Sequence, residues 1–350
     1  MEPIADPNFF TNVPDEYEDI VEDFFPSGHV CLIVGYFNIG KSPLVNELTI
    51  HIAHGLEWFN RKVIKRPVVV LDAESSEAQF KLNVQRICQR LGIEIPKVPD
   101  EYDALLLHGN PDNPATKRIY ELLKTDNPVP FLRETLKRTP NAVIVVDPAD
   151  CIFRVNTKDE EKMLKRYMDI KMILGEYREA SIILILNLRK IDRSNKIPDL
   201  LKNPREWLME VRGSMTQLDR SDTRIGIDNY KQDKEGIIKV VNGLIRGRDF
   251  YSMFIKPIQN LDDEYCGYSL CDPGEVQHTL GFTPAANNAW ATLSPEFTWA
   301  EAKKCGITQG TLQRTIKHAS KLGILKKGGN IYRKVYGPTT SGNNANSDTT

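Results

Sequence analysis

The side chains best placed to do chemistry begin with Lys41 and Ser42, which close the octet Gly35-Tyr36-Phe37-Asn38-Ile39-Gly40-Lys41-Ser42. The spacing is Gly-x4-Gly-Lys-Ser, the pattern of a P-loop. Glycine at positions 35 and 40 keeps the tight backbone path clear of a Cβ. Backbone N–H groups of such a turn, with Asn38 and Ile39 in its interior, curl around an anion. A helix opening near Lys41 aims the positive end of its dipole at the same point. Lys41 reaches the β- and γ-phosphates of a nucleotide, and the Ser42 hydroxyl is a ligand for Mg²⁺. The expected cofactors are therefore ATP and Mg²⁺. An ordinary glycine-containing strand–helix loop is the alternative; the apolar run before the octet and the helical spacing of Leu44, Val45, Leu48 and Ile52 after it weigh against that. Pro43 directly follows Ser42. Proline suits a first helical turn but offers no N–H, so one phosphate donor is missing and weaker nucleotide affinity is expected.

Carboxylates come next. Residues 67–71 form a solid apolar run that ends in Asp72 and Glu74, and residues 142–146 form another that ends in Asp147. Runs of this kind predict strands buried on both faces, as in a parallel sheet, and ligands sit at the carboxyl ends of such strands. Glu74 is the candidate to orient an attacking water; helix capping is its structural alternative. Asp147, downstream of a P-loop, has the Walker B arrangement and is expected to share Mg²⁺ with Ser42. Residues 181–186 give a third buried strand tipped by Asn187, which either senses the γ-phosphate or caps the strand.

These groups need a framework. The apolar runs alternate with helical patterns at residues 80–91 and 163–174, so the expected fold is α/β with a mainly parallel sheet. Residues 1–27 are acidic with apolar positions at helical spacing; they are expected to form a helix packed on the core or an arm docked on a neighbouring subunit. Residues 188–212 read as a long, basic loop with Arg189, Lys190, Arg193 and Lys196 placed to follow a phosphate backbone, or else as a solvated loop. Residues 236–250 suggest further, antiparallel strands, with Arg246 and Arg248 alternating along one extended face.

Composition narrows the classes. The 350 residues carry a net charge of −1, so no global basic field announces a nucleic-acid partner and any such contact must use local patches. The six cysteines are scattered without a CxxC pair, which argues against a disulfide framework or a zinc site and for thiols in a reducing cytoplasm. No apolar run approaches membrane-spanning length, so no membrane partner is expected. Residues 339–350 lack large apolar side chains and read as a disordered tail.

After an irregular linker at 271–292, the C-terminal stretch changes character. A short helix ends near Gly306, a second begins at Gln309 behind Thr308, and a hairpin folds around Gly328-Gly329. This order resembles a winged helix over residues 293–338. The resemblance implies a second helix in a major groove, with Gln309, Thr311, Arg314 and Lys317 facing DNA and Lys326 and Lys327 on the wing. A winged helix used for protein contacts is the other reading.

Five segments taken together, Gly35 to Ser42, Leu71-Asp72-Ala73-Glu74, Val145-Val146-Asp147, Val211-Arg212-Gly213-Ser214 and Arg246-Gly247-Arg248, resemble the RecA-like ATPases of the RepA type, the plasmid replicative hexameric helicases and their AAA_25-class relatives. The resemblance spans about residues 28–260 and implies a P-loop NTPase core, expected over residues 28–270, with Glu74 as catalytic base. It also implies Arg246 and Arg248 as fingers reaching a neighbour's nucleotide in a homo-oligomeric ring, a hexamer, acting on single-stranded or duplex DNA. The chain departs from the family where Asn187-Leu188 replaces a frequent His pair and where Tyr36-Phe37-Asn38 fills the turn. An ATP-binding regulator or DNA-tethering adaptor without unwinding is the rival reading, and a recombinase-like filament a third.

Overall fold

The computed structural model describes residues 18–124, 127–150, 159–189, 198–211, 215–233, 236–248, 251–262, 264–271, 286, 289–290, 292–305, 307–321 and 325–334. The expected disordered tail, Cys151, Lys190, Arg193, Lys196 and Arg212-Gly213-Ser214 lie outside them. The chain forms two compact units. One contains residues up to 34, 40–189 and 211–224; the other contains 35–39, 190–210 and 225 onward.

The first unit opens with a surprise. Residues 19–26 form no helix; β1 (Asp19–Val21) pairs antiparallel with β2 (Phe25–Pro26). Apolar residues at i, i+1, i+4 and i+5 face one way on a helix, but they also meet across a tight hairpin. The turn decides for the hairpin. Asp23 adopts φ +56°, and its N–H is held by the Asp19 carboxylate at 2.9 Å. Ile20, Val21, Phe24 and Phe25 are all buried, with Phe24 edge-on to Trp58 at 4.7 Å. The hairpin is stitched to its own chain by Ile64 N–H to Ile20 O at 2.9 Å and by the Arg66–Glu18 ion pair. The helix expected over residues 1–27 is thus corrected to a hairpin at residues 19–26, and residues 1–17 lie outside the described residues.

The sheet follows from the apolar runs. Its strands are β3 (Val30–Gly35), β4 (Val68–Ser76), β5 (Tyr102–His108), β6 (Val143–Asp147) and β7 (Ser181–Asn187), in the order β3-β7-β6-β4-β5. The pairs β4/β5, β4/β6 and β6/β7 are parallel. Both faces of β6 and β7 are buried, which is why these strands carry Val, Ile and Leu without alternation. Among the described residues the helices of this framework include α1 (Lys41–His54), α2 (Glu77–Leu91), α3 (Pro114–Lys124), α4 (Val129–Arg138) and α5 (Glu160–Glu176). Their ends follow local rules. Ser76 caps α2 through the Gln79 N–H, Gly92 ends it at φ +66°, and Asp159 caps α5 through the Lys162 N–H.

Helix α1 is buried on nearly every side, including Glu47, whose carboxylate pairs with Arg90 of α2. Removing one partner of such a pair strands a buried charge. Arg90→Ala is expected to lower unfolding free energy by about 3 kcal/mol, measured by urea denaturation, with much of the loss recovered in the Glu47→Gln/Arg90→Ala double variant.

The second unit continues from the strand that the first unit starts. Helix α6 (Pro204–Leu208) lies in this unit, α7 (Thr216–Arg220) in the first, and β8 (Thr223–Asp233) begins in the first and runs into the second. Strands β9 (Gly236–Ile245), β10 (Tyr251–Gln259) and β11 (Tyr265–Leu270) follow β8 in that order, with β9/β10 and β10/β11 antiparallel as expected. Then come β12 (Glu296–Thr298), α8 (Trp299–Lys304), α9 (Gln309–Lys321), β13 (Leu325–Gly328) and β14 (Ile331–Lys334). The last three strands make a small antiparallel sheet ordered β12-β14-β13. Thr298 and Glu301 form a reciprocal capping box at α8. Gly329 takes φ +59° at the first position of the two-residue hairpin loop, where glycine is favoured. Leu312, Thr315, Ile316 and Ala319 form the inward face of α9. Among the described residues no helix is long and apolar enough to cross a membrane.

Candidate phosphate-binding site

The site in the first unit is built by register. Asp72 and Asp147 are direct Cα partners on β4 and β6, so both carboxylates leave the sheet at the same edge. Strand β4 runs on past its neighbour and carries Glu74 beyond that edge. At 2 % exposure Asp72 is not free to reach a ligand; its Oδ1 accepts from the Glu74 N–H at 2.8 Å and the Ser75 N–H at 2.7 Å. It clamps the bend that presents Glu74. The reading of the sequence named Glu74 for the water and did not foresee this supporting role for Asp72, although Asp two and three residues before a bend is a known turn signal.

Helix α1 starts at the same edge. Gly40 is its N-cap at φ +95°, a conformation that favours glycine, and no side chain caps it. Lys41 Nζ donates to Asn187 Oδ1 at 2.8 Å, and the Ser42 hydroxyl donates to the Asp147 carboxylate. Thus Lys41, Ser42, Asp147 and Asn187 are brought together, and Asn187 is seen neither capping its strand nor idle but holding the lysine. Pro43 sits in the first turn, where its fixed φ fits the helix.

The P-loop turn itself packs within the second unit. A Cβ on Gly35 would lie 2.7 Å from Ile39 Cγ2 and 2.9 Å from the Ile227 carbonyl oxygen, so glycine is required by contact. Asn38 is exposed and adopts φ +59°; Ile39 is buried, and its N–H closes the turn on Tyr36 O at 3.3 Å.

Electrostatics mark the site in the first unit as unbalanced. Burial pushes the Asp147 carboxyl up to about 7, and the charges of Asp72 and Glu74 add to the rise against the Ser42 hydrogen bond and Lys41. Partial burial raises Glu74 too, with Asp72 and Asp150 adding and Lys41 opposing. Burial lowers Lys41, while Asp147, Glu74 and Asp150 hold its proton on. Asp150, three residues past Asp147, is a member of this cluster that the sequence reading missed; the second acid in Asp147-Pro148-Ala149-Asp150 was its only signal. Among the described residues no group of three or more His, Cys, Asp or Glu side chains is placed to hold a metal alone. Ser42 and Asp147 nevertheless supply the hard oxygen donors that Mg²⁺ takes when it keeps waters and binds substrate phosphates.

The remaining candidates fall elsewhere. Arg189 Nε donates to Val211 O at 3.3 Å beside the Leu188–Val211 bridge, closing the neck of the expected basic loop. That loop is not merely solvated: residues 198–211 include α6, with Leu200 and Trp207 buried. Pro204 after Asn203 was a legible helix start. Arg246 and Arg248 do not alternate along a strand. They flank Gly247, at φ +80°, in a tight turn after β9 closed by Arg248 N–H to Ile245 O at 3.0 Å. Gln309, Arg314 and Lys317 are exposed on α9 and Thr311 is half-buried; Lys326 is half-buried and Lys327 exposed on the hairpin.

The raised Asp147 carboxyl has a measurable sign. An unfolded aspartate releases its proton near pH 4, whereas folded Asp147 keeps it to about 7. Between those values the folded state binds the extra proton, so stability falls as pH rises, and the loss is complete above about 7. In EDTA, the melting-temperature gain of Asp147→Asn over wild type is expected to be larger at pH 8 than at pH 5; a gain that does not change with pH would refute the assignment.

Comparison with known proteins places this arrangement. An AAA_25 family model, described as an AAA domain, matches residues 2–186, more than half of the chain. No curated protein matches. Among solved structures, a KaiC-like protein from the hyperthermophilic archaeon Pyrococcus horikoshii aligns at 11 % identity and a TM-score of 0.43, over 74 % of this chain and 100 % of that one, a likeness too distant to carry weight. The family match takes in the P-loop, Asp72, Glu74 and Asp147, and on that ground the chain belongs to the AAA domain family of P-loop ATPases with a RecA-like core.

Proposed function

We propose that this protein hydrolyses ATP to act on DNA as a homo-oligomeric ring, a replicative helicase or replication initiator of a plasmid, phage or other mobile element. The observation that carries the ATPase part is the convergence of Lys41, Ser42, Glu74, Asp147 and Asn187 at one sheet edge. Lys41 neutralises the β- and γ-phosphates, oriented for them by Asn187. Ser42 and Asp147 would hold Mg²⁺, which when bound supplies positive charge to the phosphate oxygens. Glu74, held in place by Asp72 and raised in pKa, accepts hydrogen bonds from the attacking water and takes its proton. Arg246 and Arg248, on their turn, are read as fingers offered to the nucleotide of a neighbouring subunit, a hexamer being the expected ring.

The DNA part draws on the C-terminal elements. The order β12-α8-α9-β13-β14, with β14 between β12 and β13, supports the winged-helix reading. Its second helix exposes Gln309, Arg314 and Lys317 opposite the buried Leu312, Thr315 and Ala319. Arg189 and, beyond the described residues, Lys190, Arg193 and Lys196 are read as a second contact, with single-stranded DNA. A nucleotide-dependent regulator or DNA-tethering adaptor is the second reading. Pro43 favours it by removing one N–H from the phosphate site.

Turnover separates the two readings. ATPase rates with and without single-stranded DNA, beside a strand-displacement assay, are expected to show DNA-stimulated hydrolysis and unwinding; nucleotide-dependent DNA binding without either would establish the regulator. Lys41→Ala is expected to abolish hydrolysis. Glu74→Gln is expected to keep nucleotide binding while slowing turnover by about 10²–10⁴-fold, and Arg248→Ala to spare binding while lowering turnover.

The C-terminal reading is tested by salt. Arg314→Ala/Lys317→Ala is expected to weaken duplex binding and to reduce the slope of log K against log salt by about 0.9 per lost phosphate contact. An unchanged slope in a fluorescence-anisotropy titration would assign this module to protein contacts instead.

A further inference from the structure

The P-loop turn carries two aromatic residues, Tyr36 and Phe37, and the second unit shows what the first of them touches. Tyr36 meets the edge of Trp207 on α6, with ring centroids 6.1 Å apart and planes at 85°. Trp207 has no solvent exposure, and its Nε1 donates to Asp228 Oδ2 at 3.0 Å. Asp228 and Glu210 both face the Tyr36 hydroxyl closely enough to raise its pKa behind the larger effect of burial.

Three consecutive residues of β8 bear on this arrangement, Gly226 and Asp228 from one face of the strand and Ile227 from the other. Gly226 underlies α6: a Cβ there would lie 2.8 Å from Trp207 Cζ3 and 2.7 Å from Leu200 Cδ1. Ile227 underlies the P-loop: a Cβ on Gly35 would lie 2.9 Å from both its Cγ2 and its carbonyl oxygen. Asp228 holds the indole. The turn and α6 therefore rest on one short strand segment with no slack at either contact. Close-packed contacts of this kind pass on small displacements rather than absorbing them.

We propose that Tyr36 and Trp207 form a coupling contact through which a nucleotide in the P-loop sets the position of the α6 segment, residues 198–210. Trp207 is in this sense a positioning residue: it touches no substrate and acts through the turn. The inference rests on the reading of Gly35 to Ser42 as a nucleotide site. Linkage makes it reciprocal, so whatever binds the α6 segment changes the affinity of the P-loop for nucleotide by the same factor.

The test uses the full chain labelled with 5-fluorotryptophan, which gives four ¹⁹F resonances from its four tryptophans. The Trp207 signal is identified by its loss in Trp207→Phe. Saturating MgADP, with occupancy read independently from a fluorescent ADP analogue, is expected to shift the Trp207 resonance. At equal saturation, the shift is expected to vanish in Tyr36→Ala and to persist in Tyr36→Phe, which keeps the ring edge. A purely structural Trp207 would not give that difference. The proposal is overturned if MgADP binds and the Trp207 resonance stays still, or if Tyr36→Ala responds as fully as wild type. If the ADP analogue does not bind at all, the nucleotide reading of the P-loop falls first and the coupling with it.

Discussion

A lysine set among carboxylates is the interaction on which the rest of this structure depends. Asp147, Glu74 and Asp150 surround Lys41, and Asp72 lies behind them. Negative charge outweighs positive at a partly buried sheet edge, and burial weakens the solvent screening that would make this harmless. Burial is the main reason Asp147 is reluctant to ionise, and the neighbouring carboxylates add to it; the same carboxylates oppose the fall that burial imposes on Lys41. Oxygen donors with excess negative charge are the setting that hard-cation chemistry requires.

Rigid elements make that imbalance tolerable. Register sets Asp72 opposite Asp147, hydrogen bonds from Lys41 to Asn187 and from Ser42 to Asp147 fix the first turn of α1, and the Asp72 carboxylate closes the bend under Glu74. Each of these contacts lies at the end of a strand or the start of a helix, where backbone groups still have hydrogen-bonding capacity to spare. The phosphate-binding turn is held differently, by side-chain packing against Ile227 and Trp207 rather than by charge. The two halves of one motif thus obey different physics.

Several readings from the sequence were local ambiguities that packing resolved. Apolar residues at 20, 21, 24 and 25 suit a helix face and a hairpin equally, and Asp23 at positive φ chose the hairpin. The stretch after Asn187 looked polar because its charged residues outnumber its core residues, yet Leu200, Leu201, Trp207 and Leu208 are buried and part of it forms α6. Arg246 and Arg248 are separated by a glycine, and a positive φ at Gly247 converts an apparent strand into a turn.

The sequence by itself determined the P-loop, the buried acid-tipped strands β4 and β6, the α/β class and the helix-helix-hairpin order at the C-terminus. Each of these is written in contiguous residues, as glycine spacing, unbroken apolar runs or capping side chains, so no distant partner is needed to recognise it. Only the tertiary structure decided that Asp72 supports while Glu74 is presented, that Asn187 holds Lys41, that Asp150 joins the charged cluster and that Tyr36 meets Trp207. These depend on strand order and register. Contacts between residues more than a hundred positions apart, such as Lys41 with Asn187, leave no periodicity in the chain that makes them.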